Sequence, residues 1–353
     1  MIIAENPNFI SNVPAFNAFL GQLIDRYPER VSILVLSLLF ISILGFTHGG
    51  WRGRAIPFFW IVLDMFFGKL CYKLFKVKKD TSTLMFRGIG LTLCVTALSF
   101  LTGVLATSLT AEQYFYGLSS VIVLSSVIVS GAHWRMMGTI HKTLKGDKNT
   151  HSYFSVASSS RIDLNTMDDS GIMRVVSNFS LVSFERAIIL PSLAYITSGF
   201  VGLFVISGLS YVVWRVGREG SGKGSDSLAL SVLKLLSFVT TPITAVLFIL
   251  SCLFVPYANI SGAVKGLFKS HLSYGQGWPI LGMVSYALNM ILAGPVKDVD
   301  GWTINRKWIG PDKVSAQMDI DMVKRVRYLL FVATILWVSL VFCSLLVYKI
   351  LFL

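Results

Sequence analysis

Several residues have types and spacings that could do chemistry. Asp168 and Asp169 are adjacent carboxylates able to bind magnesium or to act as acid and base; Asp-Asp-Ser ahead of Ile172, Val175 and Val176 equally suits a helix start, where side-chain oxygens accept from free first-turn amides. Gly217 to Gly224 nearly spells the phosphate-cradling loop of Gly, four residues, Gly, Lys and Ser or Thr. Gly224 stands where the hydroxyl belongs, or Ser225 supplies it one position late, and an apolar run precedes the loop instead of a strand. That stretch reads as a solvated linker. Asp64 and Lys69 lie in an apolar run, where charge is costly and marks function unless the side chain reaches the interface. The histidines at 48, 133, 141, 151 and 271 have no metal-ligand spacing, and four single cysteines have none of the pairing of zinc or redox motifs. Asp319 and Asp321, followed by Lys324, Arg325 and Arg327, complement the dipole of a helix that enters the last apolar run.

The elements that position these residues are set by composition. Hydrophobic residues make up 54% of 353 residues and charged ones 14%, against about 25% charged in soluble domains, and the mean hydropathy is +0.68. The chain reads as all-α, a polytopic membrane helix bundle with two short cytoplasmic helical segments. Its +13 net charge sits in loops between apolar runs, which fits membrane topology and the lipid surface and not nucleic acid. Candidate spans are Val31–Phe46, Ile56–Tyr72, Gly88–Ser108, Tyr114–Ala132, Ala187–Trp214, Leu228–Tyr257, a weaker Pro279–Leu292, and Tyr328–Leu353. Ala187–Trp214, interrupted by Pro191, Gly199, Gly202 and Gly208, is one tilted helix or a broken hairpin.

The organisation is then an N-terminal cytoplasmic segment over 1–30, four spans over 31–132, and a cytoplasmic segment over 133–186. Membrane helices with a Gly-rich loop at 215–227 fill 187–295, a cytoplasmic segment 296–327 follows, and a last span covers 328–353. The basic stretches Lys73–Arg87, His133–Arg186 and Val296–Arg327 share the cytoplasmic face, together with the N-terminus.

The order of certain motifs resembles one family. Pro57-Phe58-Phe59-Trp60-Ile61, Gly146-Asp147 with Arg161, and an ungapped register holding Arg174, Pro191, Gly199, Gly202 and Gly217 are similar to the cobalamin-biosynthesis CobD/CbiB proteins. Gly277-Trp278-Pro279, Gly294-Pro295, Gly301, Arg306, Trp308 and Gly310 extend the likeness, which covers roughly residues 50 to 330. The resemblance implies a multi-pass protein of the bacterial inner membrane. It also implies ATP- and magnesium-dependent amide ligation of a corrinoid carboxylate with aminopropanol or its phosphate, among other cobalamin-pathway proteins.

The family's acidic motifs fall here on Val182-Ser183-Phe184-Glu185-Arg186-Ala187, on Ser210 to Val213 and on Leu233 to Phe238. If ligation is retained, Asp163 and Glu185 are the catalytic candidates, Asp147, Asp168 and Asp169 the metal candidates, and Arg161, Arg174, Arg186 and Arg306 the substrate- or phosphate-binding ones. A triphosphate needs its metal held by carboxylates before an acyl phosphate can form. The alternative is a non-catalytic member, a sensor or structural partner like the AmpE relatives, without ATP or magnesium.

Overall fold

The computed structural model describes residues 14–75, 81–111, 117–146, 150–165, 167–217, 227–269, 278–312 and 317–352. Asp147, Gly277 and residues 218–226 of the Gly-rich loop lie outside them. Apolar runs form the long helices and more polar, amphipathic segments the short α5 and α6: α1 (Pro14–His48), α2 (Phe58–Leu74), α3 (Thr81–Ala111), α4 (Leu118–Val127), α5 (Gly131–Leu144) and α6 (Thr150–Ser160). There follow α7 (Asp169–Phe184), α8 (Leu190–Arg215), α9 (Ser227–Cys252), α10 (Ile260–Lys269), α11 (Trp278–Leu288) and α12 (Ile320–Phe352). Among the described residues five helical stretches, in α1, α3, α7 to α8, α9 and α12, are long and apolar enough to cross a membrane; α4 and α5, bent by 45°, make a sixth if they act as one.

Eight runs are candidates by sequence, and two of them form helices shorter than this length. The 17-residue α2 packs along the second half of α8, with Phe59 against Phe204 and Trp60 against Trp214. Pro279–Leu292 is shortened to the 11-residue α11, because the chain turns into strands at Leu292. Segment 133–186 holds most of α5, all of α6 and the whole of α7, and 296–327 begins as strands; the expected pair of short helical segments is corrected accordingly.

Tyr27 donates to Ser344 Oγ at 2.8 Å and its ring meets Tyr348, near the end of α12. Lys145 pairs with Asp321 at 3.6 Å, at its start. The 33 residues of α12 separate those points by roughly 50 Å at helical rise. Tyr27 of α1 and Lys145 at the end of α5 thus lie near opposite ends of α12.

The run Asp169–Arg215 is continuous by length but broken at Gly199, whose φ of 65° and ψ of −152° are open only to glycine. Arg30 of α1 donates to the carbonyls of Ile196 (2.8 Å) and Thr197 (3.0 Å), satisfying acceptors that the break releases. The two legs thus form the broken hairpin, one of the two expected forms. Beyond α11 the chain makes two antiparallel ladders, β1 (Leu292–Ala293) with β4 (Trp308–Ile309) and β2 (Val296–Lys297) with β3 (Thr303–Ile304). This small platform lies against α7 through Asn178 Oδ1, which accepts from the Ala293 amide at 3.2 Å.

Candidate functional site

A pocket of about 100 Å3 opens where the hairpin meets the strand platform. Between α7 and α8 the helix widens to a π-turn over Glu185–Ile189, a distortion that often marks functional positions. The turn separates two adjacent ionisable side chains. Glu185 is buried, and its Oε1 accepts from Thr240 (2.6 Å) and Thr241 (2.8 Å) of α9. Arg186 is half-buried and lines the pocket. Arg306, between β3 and β4, lines it too, with Asn178, Phe179, Trp60 and Trp214 among the remaining walls. No Asp or Glu contributes to its lining.

Trp60 and Trp214 are fixed by their indole N–H groups, which donate to Ser207 Oγ (3.0 Å) and to the Ser159 carbonyl (2.8 Å). Gly294, on the pocket wall with φ of 85°, lies against Trp308: a Cβ there would sit 2.6 Å from the indole. The Arg174 guanidinium covers the same ring at 4.7 Å from its centroid, a cation–π contact. Arg174 and Asp168 line a neighbouring cavity of about 310 Å3 that shares Val175 and Val296 with the first.

Arg161 belongs to a separate ion network. Its NH2 reaches Asp300 Oδ2 at 2.7 Å, and its guanidinium lies 5.4 Å from the Trp214 ring centroid. Arg215 lies 3.2 Å from Asp64 Oδ1 and 3.6 Å from Asp300 Oδ2, and it donates to the Gly68 carbonyl at 3.0 Å. Asp64 was marked by its place in an apolar run. Asp300 and Arg215 were missed as site residues, since the pairing joins α2, α8 and the platform across 236 positions (Asp64 to Asp300) and no local pattern carries it.

The proposed acids are dispersed. Asp163 Oδ1 accepts from the amide (3.1 Å) and side chain (2.9 Å) of Asn165 in an exposed turn. Asp168 caps α7, accepting from the Gly171 amide at 2.9 Å, and Asp169 is exposed in its first turn. Neither Asp163 nor Glu185 lines the Arg186–Arg306 pocket. Among the described residues no three His, Cys, Asp or Glu side chains lie close enough to hold a metal ion. The donor set among the described residues does not fit a magnesium–triphosphate site.

No family model, curated protein or solved structure matches this chain. The other resembling positions are accounted for by packing. Pro57 precedes α2 as its cap, Gly202 opens the second leg beside Ser198, and Gly217 ends that leg, its amide donating to the Val213 carbonyl at 3.1 Å. Trp278 and Pro279 open α11, Pro295 separates β1 from β2, Gly301 donates to the Asp298 carbonyl at 2.9 Å, and Gly310 follows β4 against Met290.

Proposed function

We propose that the chain is a membrane-embedded binding protein on a CobD/CbiB-type scaffold. In this reading Arg186 and Arg306 receive the acidic group of a ligand, a corrinoid carboxylate, and no amide is formed. One observation carries it: two arginines 120 positions apart (186 to 306) line a single pocket with tryptophans and without a carboxylate. Guanidinium groups grip carboxylates through paired, charge-assisted hydrogen bonds. The same lining offers a carboxylate two guanidinium groups and tryptophan walls, and it offers a metal no acid.

The test is binding of adenosylcobyric acid to the purified full chain in detergent, paired with growth of a strain lacking its own cobinamide synthase. Binding that weakens about tenfold or more in Arg186→Gln and Arg306→Gln, without restored growth, is expected. Restored growth would replace this reading with the ATP-dependent ligase. Absence of binding in a well-folded sample would refute both the ligand class and the site.

A further inference from the structure

Away from the Arg186–Arg306 pocket, the chain leaves α1 at His48 and doubles back through Gly49, Gly50 and Gly53 toward α5 and α6. Gly49 and Gly53 have φ of 80° and 72°. This loop closes a cavity of about 350 Å3 whose polar walls are His48, Arg135, Thr139, His151, Ser152 and Ser155, with no Asp or Glu. Arg135 is exposed, and among the described residues it makes no ion pair or hydrogen bond. Its side chain lies along the loop, 3.3 Å from where a Cβ on Gly49 would be.

A second cavity, of about 490 Å3, shares His48, Gly49, Gly50 and Ala132 with the first. Its remaining walls are mainly apolar, with Phe40 and Leu44 on α1, Trp51 and Phe58 on the loop and α2, and Ile122 on α4. Phe40, Leu44 and Ile122 are each more than one-third exposed, on helices long or paired enough to lie in hydrocarbon. The two compartments are therefore one amphipathic site, basic and rich in donors at one end and open to acyl chains at the other.

We infer that this site holds an anionic glycerophospholipid. The phosphate sits against Arg135 with hydroxyl and imidazole donors around it, and an acyl chain lies along Phe40, Leu44 and Ile122. Charge complementarity selects this occupant: a zwitterionic headgroup brings its own cation toward Arg135 with no acid to receive it. A water-soluble phosphate leaves the apolar compartment unused. One basic residue near a membrane contributes about 1 kcal/mol of attraction to anionic lipid, which corresponds to a preference of about fivefold.

Native mass spectrometry of the full chain, given phosphatidylglycerol or phosphatidylcholine in mixed micelles, tests this directly. Retained phosphatidylglycerol should exceed phosphatidylcholine about fivefold, and Arg135→Gln should erase the difference without altering thermal stability, since the side chain is exposed. Leu44→Trp, which fills the apolar compartment, should lower retention of both lipids. Equal retention by the wild-type chain, an unchanged preference in Arg135→Gln, or displacement of the lipid by inorganic phosphate would overturn the assignment. A photoactivatable phosphatidylglycerol gives a readout in the unmutated chain: labelling should fall within residues 40–58 or on α4 and α5, and labelling confined elsewhere rejects the site.

Discussion

Replacing Arg215 by Met probes the ion network at its centre. The side chain is 7% exposed, while Asp64 and Asp300 are 22% and 23% exposed. Removing one partner of a fully buried pair costs about 3–5 kcal/mol, because the remaining charge is left desolvated. Two features reduce that figure here. Asp300 keeps Arg161 at 2.7 Å, and both carboxylates retain some contact with water. The Gly68 carbonyl loses a charged donor, worth about 1.5–3 kcal/mol in comparable cases. We therefore expect a loss of about 2–3 kcal/mol for Arg215→Met. Asp64→Asn leaves a neutral group able to accept from Tyr211 (3.4 Å) and should cost less. The pair should couple by about 1–2 kcal/mol in a double-mutant cycle. Equilibrium unfolding in mixed micelles, followed by tryptophan emission, reads all three values. Trp214 is a suitable reporter, being stacked beneath Arg161. A loss under about 0.5 kcal/mol for Arg215→Met, or additivity within that margin, would show that the network contributes nothing to stability.

Two further substitutions separate structural from functional roles. Gly199→Ala places a Cβ on a backbone of φ 65° and ψ −152° and should cost about 1–3 kcal/mol, measured by the same unfolding assay; a neutral outcome would mean the hairpin break is not required. Glu185→Gln keeps an acceptor for Thr240 and Thr241 and should leave corrinoid binding within about twofold of wild type, whereas Thr240→Val with Thr241→Val strips the buried carboxylate of both donors and should destabilise by about 2–4 kcal/mol. Loss of corrinoid binding in Glu185→Gln at unchanged stability would return Glu185 to the site.

Much of the fold is readable from composition because hydrocarbon imposes a minimum length on an apolar helix. The runs that became α1, α3, α9 and α12 satisfy that requirement by themselves. Where composition is silent, the deciding contacts are remote. The run Ile56–Tyr72 is apolar enough to suggest a crossing, yet its structure is set by α8, against which Phe59, Trp60 and Asp64 are matched. The segment after Val296 contains no strand alternation of useful length, since each ladder pairs only two residues. Glycine spacing was more informative than charge. Gly199 is one of four positions, with Pro191, Gly202 and Gly208, that interrupt the long apolar run, and the break falls on it through backbone geometry at that one residue.

Charge was harder to read because burial is decided by the partner and not by the residue. By sequence Arg215 is a cation beside a polar loop, a position that ordinarily bears on sidedness alone. In the folded chain it is among the most enclosed ionisable groups, held by acids from α2 and from the strand platform. Arg186 and Glu185, adjacent in sequence and both expected at one site, are separated by the π-turn into a pocket wall and a core anchor for α9. A pocket lined by two arginines and by no acid attracts an anion and lacks the means to hold a metal against a triphosphate. Binding and ligation therefore make opposite demands on the same residues, so a growth assay and a binding assay together discriminate where either alone would not.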